Sequence, residues 1–184
     1  MVGAAIALVI GAVLVTMMLT GGKLWNSSEA SVEAQEEARR ALTNMSRELR
    51  EAAPTTVTVF GGGSVIVFQV VLGINPGGTC PTTGVVCNGA RDVNGLPNQG
   101  GQIEYLLNPG VPGQLLRQVF LVGGATPPPN QVLATRVTVV NFTTEGSPLK
   151  VVNATLTTQA QESGGVQHRV LNATTRIRLR NAPP

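Results

Sequence analysis

The residues of this 184-residue chain that could do covalent, metal or acid–base chemistry are few. Cys80 and Cys87 enclose Pro81-Thr82-Thr83-Gly84-Val85-Val86, a stretch full of turn formers whose spacing reads as a local disulfide. So short a loop would contribute about 2 to 3 kcal/mol in the chain-entropy model and persist only in an oxidising compartment. The other reading is a pair of free thiols. Zinc is a poor match, because two cysteines and the distant His168 do not make a ligand set. His168 has no partner at ligand spacing, and there is no Gly-x-Ser-x-Gly elbow. Gly61-Gly62-Gly63-Ser64 leads into no helical segment, so it is not a phosphate loop. Asp92 and Glu104 would work as a carboxylate pair only if the fold brought them together. The expectation is no catalytic role, no metal and no cofactor.

Two further sets of side chains point to surfaces instead of reactions. Alternation in the last segment puts Leu171, Ala173, Thr175, Ile177 and Leu179 on one face of a strand and Asn172, Thr174, Arg176, Arg178 and Arg180 on the other. The three arginines form a row that is either a solvated strand face or a contact for DNA, an anionic surface or an adjoining subunit. No aromatic residue interleaves with it, which weighs against nucleic acid. Asn-x-Ser/Thr sequons stand at Asn26, Asn44, Asn141, Asn153 and Asn172. They suit a glycan-bearing outer surface, and equally follow from threonine-rich strands.

The elements that must position these groups fall into two kinds. Residues 1 to 20 contain no charge, and as a helix would span about 30 Å, matching a bilayer core. Gly3, Ala4, Ala7, Gly11 and Ala12 would let neighbouring helices approach closely. Gly21 and Gly22 follow, and two glycines predict a hinge or local unwinding. From Lys23 to Ala53 the pattern turns amphipathic: Ala38, Leu42, Met45, Leu49 and Ala52 make one apolar stripe, while Glu36 and Arg40 are spaced to pair. Pro54 stops the helix. Strands are then expected at 55–60, 65–72, 103–107, 115–122, 132–142, 149–158 and 167–180, with 73–101 as a long irregular stretch. With 12% charged and 3% aromatic residues and a net charge of +3, a strong nucleic-acid footprint is absent. The predicted class is α+β: a long N-terminal helix packed against an antiparallel β-sheet head. The boundaries are 1–22 for the apolar segment, 23–53 for the amphipathic helix and 54–184 for the head.

An uncharged segment from residue 1 that runs into an amphipathic half resembles the type IV pilins and type II secretion pseudopilins. EARRALTNMSRELREA at 37–52 is similar to the helix of PilW-like minor pilins and GspJ-like pseudopilins. The architecture covers the whole chain and the specific likeness about its first third. The resemblance implies a processed N-terminus and storage in the cytoplasmic membrane, followed by assembly into an extracellular filament with the N-terminal helices in its core. That core would comprise Met1, Val2, Gly3, Ala4, Ala5, Ile6, Leu8, Ile10, Leu14, Met17 and Leu19. The implied partners are copies of the chain, other pilins and the assembly machinery. The family usually places Glu at the fifth mature position; this chain has Ala5. The Met1 amine would then meet backbone carbonyls, the Thr16 or Thr20 hydroxyl, or another subunit's carboxylate, since an unpaired charge in apolar surroundings is costly. The expected function is a structural filament subunit. The alternatives are a minor pseudopilin priming a secretion or DNA-uptake pseudopilus, and a monomeric membrane-anchored binding domain.

Overall fold

Apolar residues at three- and four-residue steps lie on one side of a helix, and that side must be covered. In the computed structural model the described residues are 2–74, 86–146, 149, 151–161 and 168–180, and among them the side chains of 2, 4–9, 19, 22–28, 74, 160, 161, 168 and 169 are not described. Helix α1 runs Val2–Arg50. Ala34, Ala38, Ala41, Leu42, Met45 and Leu49 form its buried stripe, and the small alanines let strands approach closely. Past the helix end, Ala53 precedes Pro54 with ψ 119°, the extended conformation that proline imposes on its predecessor. Ala53 N–H then bonds to the Gln69 carbonyl at 2.8 Å, and Val71 N–H to the Glu51 carbonyl at 3.0 Å.

Eleven strands follow: β1 Thr58–Phe60, β2 Val65–Phe68, β3 Val70–Ile74, β4 Val86–Arg91, β5 Pro97–Gln99, β6 Gln102–Leu107, β7 Leu115–Phe120, β8 Gln131–Ala134, β9 Val137–Glu145, β10 Val151–Gln161 and β11 His168–Arg178. They build a five-stranded sheet in the order β1-β2-β6-β7-β8, a three-stranded sheet β11-β10-β9 and a second three-stranded sheet β3-β4-β5. Every pairing is antiparallel. One core joins them, with Phe68 and Tyr105 stacked at 5.7 Å between ring centroids and Phe142, Leu156 and Ile177 fully enclosed.

The expected class, α+β with a long helix on an antiparallel sheet head, is therefore corrected. The fold is mostly β, with more strand than helix, and its strands form three antiparallel sheets in place of one. Two breaks cause the division. The segment 65–72 is not one strand: at Gln69 the backbone N–H turns to the Thr56 hydroxyl at 3.0 Å, so β2 and β3 enter different sheets. The segment 132–142 breaks at Thr135-Arg136, where Arg136 takes a φ of 59° that a side chain rarely adopts. The stretch 73–101 is not wholly irregular either, since it supplies the end of β3 and all of β4 and β5. The unwinding expected at Gly21-Gly22 is absent, because α1 is helical through both. Two glycines cost about 2 kcal/mol relative to alanine, too little to break a helix of this length.

Gly63, in the 3-10 turn between β1 and β2, has a φ of +104° and backs onto β9. A Cβ there would overlap the Asn141 Oδ1 and lie 3.1 Å from the Phe142 carbonyl oxygen. Gly63→Ala is expected to destabilise the fold by about 1 to 3 kcal/mol. The check is a urea midpoint, and an unchanged midpoint would contradict this close approach.

Candidate functional site

The first half of α1 carries large apolar side chains that nothing among the described residues covers. Ile10, Val13, Leu14, Val15, Met17 and Met18 are 49 to 80% exposed. Successive residues differ by about 100° around a helix, so these six lie on several sides of it and no single groove could hide them. Gly3 and Gly11 have open space where a Cβ would stand. The Thr16 hydroxyl donates to the Ala12 carbonyl and the Thr20 hydroxyl to the Thr16 carbonyl, both at 2.8 Å. Neither hydroxyl therefore needs water for its proton. Met1 lies outside the described residues, as do the side chains of Val2, Ala4, Ala5, Ile6, Leu8, Leu19 and Gly22. Among the described residues no helix is long and apolar enough to cross a membrane.

The second half of α1 is fixed to the head by three acids, which sequence reasoning did not single out. Glu48 accepts from the Tyr105 hydroxyl at 2.6 Å, and from Arg117 Nε at 2.9 Å on one oxygen and 3.1 Å on the other. Tyr105 is completely buried. Burial first, then the Glu48 charge and hydrogen bond, push its phenol far above the ordinary tyrosine range; Arg117 opposes this only in part. For Arg117, burial favours the neutral form, but the hydrogen bond and charge of Glu48 outweigh it and hold the guanidinium above its usual value. Higher on the helix, one oxygen of Glu37 accepts from both the backbone N–H (3.1 Å) and the hydroxyl (2.7 Å) of Thr135, while Glu33 pairs with Arg136 at 3.1 Å. These bonds hold the turn where β8 and β9 part. The signal available in the sequence was weak: Glu33, Glu37 and Glu48 share one flank of the helix, but their partners lie 57 to 103 residues away.

The other residues singled out from sequence are dispersed. Ala38, Leu42, Met45 and Leu49 lie in the core, and Glu36 pairs with Arg40 at 3.1 Å on the exposed side. Cys87 is buried and disulfide-bonded; Cys80 lies outside the described residues. His168 begins β11, and its side chain is not described. Asp92 serves a turn, one of its oxygens accepting from the N–H groups of Asn94 and Leu96, both at 2.8 Å. Glu104 sits on β6 in a different sheet, where burial raises its carboxyl pKa. Among the described residues no group of three His, Cys, Asp or Glu is placed to hold a metal.

The arginine row is not uniform. Arg176 is tied to Glu145 at 2.8 Å, Arg178 faces solvent, and Arg180 leaves the strand, its N–H bonding to the Arg50 carbonyl at 3.0 Å. Of the sequons, Asn44 is exposed on α1, and Asn26 has no described side chain. Asn141, Asn153 and Asn172 share the outer face of the β9-β10-β11 sheet, where Asn172 accepts from Thr157 at 2.9 Å and Asn153 donates to Glu145.

Tyr105 is the only tyrosine of the chain, so phenolate absorbance reports this site alone. A raised folded pKa contributes stability that is intact below the unfolded value of 10.0 and is lost as pH rises above it. We expect no phenolate signal in the native chain near pH 10, and a signal that appears only together with alkaline unfolding. Normal titration of the folded chain would contradict the Glu48–Tyr105–Arg117 cluster.

No family model, no curated protein and no solved structure matches this chain.

Proposed function

We propose that the chain is a structural subunit of an extracellular, type IV pilus-like filament, which assembles by packing the first half of α1 against the same segment of other copies. The observation that carries this reading is the contrast along one helix: from Ala34 on, its apolar stripe is buried in the head, while Ile10 to Met18 stand uncovered. Exposed apolar surface of that size demands a second apolar body. Lipid would provide it before assembly, and neighbouring helices afterwards. Open glycine positions favour the helices, because small residues permit the close approach that packing in apolar surroundings requires. The satisfied hydroxyls of Thr16 and Thr20 remove the largest side-chain desolvation cost in the segment.

Leu14→Asp places a charge in this surface without touching the head. A charge in the middle of an apolar helix costs about 3 kcal/mol, on the order of a hundredfold in the assembly equilibrium. Filaments sheared from cells producing Leu14→Asp should fall to background, while the delayed Tyr105 titration stays as in the unaltered chain. Filament yield equal to that of the unaltered chain would refute the reading. Abundant filaments of the unaltered chain separate a main subunit from a pseudopilin present in traces, and their absence separates both from a monomeric anchored domain.

A further inference from the structure

Strand β11 ends its sheet: β10 pairs with one side of its 11 residues, and among the described residues no strand pairs with the other. A strand edge of that length is a row of backbone donors and acceptors ready for an added strand. Beside it runs one flank of α1. Gln35, Arg39, Thr43 and Arg47 follow at four-residue steps, with Arg50 one turn on, and they line two clefts, one between the helix and β11 and the next between the helix and Arg180 just past the end of β11. The first cleft, of about 340 Å³, is walled by Ala38, Leu42, Leu171 and Ala173 with Gln35 and Arg39 also lining it. The second, of about 380 Å³, gathers Arg47, Arg50 and Arg180, with Glu51 as its one acid. The Arg180–Arg50 backbone bond closes this end.

A second and independent feature lies in the first cleft. Thr158 is 1% exposed and lines it, yet its hydroxyl has no hydrogen-bond partner among the described residues. A buried hydroxyl left unbonded is a standing cost to the fold, because its lost hydration is not replaced. A polar side chain entering the cleft would remove that cost.

We propose that this groove binds an extended peptide segment of another protein, which adds to the open edge of β11 and places an acidic side chain against Thr158 and Arg39. Four arginines against one acid set the charge of the occupant. Backbone pairing sets its extended form. The span from Gln35 to Glu51 is about 24 Å of helix, which about seven extended residues would cover. A second copy of this chain is a poor occupant. Of the acids on its described strands, Glu104 lies inside a sheet and Glu145 is held by Arg176 and Asn153. Nucleic acid is disfavoured because no aromatic side chain lines either cleft to stack on a base.

The test uses the full chain in detergent, so it is independent of filament assembly. The probes are a labelled seven-residue peptide alternating valine and glutamate, the same peptide with lysine for glutamate, and the glutamate peptide N-methylated at alternate residues. A single-stranded oligonucleotide is the fourth probe. The glutamate peptide should bind saturably by fluorescence anisotropy and slow amide hydrogen exchange in residues 170–178. Its affinity should fall about tenfold in Arg39→Glu and severalfold in Thr158→Val. Thr158→Val should leave the urea midpoint unchanged or raised, since it removes an unbonded hydroxyl, and a merely structural threonine would not give that combination. No saturable binding, equal binding of the lysine or N-methylated peptide, or tighter binding of the oligonucleotide would each overturn the proposal.

Discussion

Where α1 sits on the head depends on one carboxylate. Glu48 meets Arg117 and Tyr105 at a site where the Arg117 and Glu48 side chains are only 18 and 25% exposed. An ion pair so placed adds little net stability, because desolvating both charges offsets most of their attraction. What it does determine is position. Sliding the helix by one turn, about 5.4 Å, would leave the Arg117 guanidinium and the Tyr105 hydroxyl without their acceptor in low-dielectric surroundings. Breaking a buried pair costs about 3 to 5 kcal/mol, and partial exposure here brings that toward the lower figure. The alanines of the buried stripe could not impose the same register, since small apolar side chains slide past one another at little cost. Glu37 and Glu33 continue the lock at the Thr135-Arg136 turn, so the helix also decides where β8 ends and β9 begins.

This dependence explains what could be read from the chain in advance. The alternation in β11 and the stripe through Ala38, Leu42, Met45 and Leu49 are local periodicities, legible because each residue's face follows from its neighbours. The fold class was not legible. A run such as 132–142 has strand propensity throughout, and the acids that hold the Thr135-Arg136 break, Glu37 and Glu33, stand about a hundred residues earlier in the chain. Likewise nothing near Gln69 announces that its N–H will turn to Thr56. Sheets are divided here by side chains 13 and 98 residues away, and propensity, which weighs each residue's own preference, does not register such pairings.

The two halves of α1 also constrain each other. A helix of 49 residues with a wholly polar surface beyond the head could stand alone in water. This one cannot, because its exposed end is apolar on several sides. Hinging at Gly21-Gly22 would let the apolar half fold back, but both glycines remain helical. A continuous helix instead carries the register fixed by Glu48 outward to Ile10. The orientation of the uncovered segment is thereby tied to that of the head, which any ordered assembly of such subunits requires.

Turning about 100° per residue, the covered half of α1 divides into three flanks. Glu33, Glu37 and Glu48 fall on one, with 11 residues, close to three turns, between the last two. The apolar stripe lies next to them. On the far side follow Gln35, Arg39, Thr43, Arg47 and Arg50, which line the clefts toward β11 and Arg180. A net charge of only +3 hides this segregation, because acids spent on the head balance arginines that remain at the surface. The acids are consumed by Arg117, Tyr105, Thr135 and Arg136. The arginines on the opposite flank are left in excess beside an open strand edge, and that local surplus, not the overall charge, defines the chemistry of the groove.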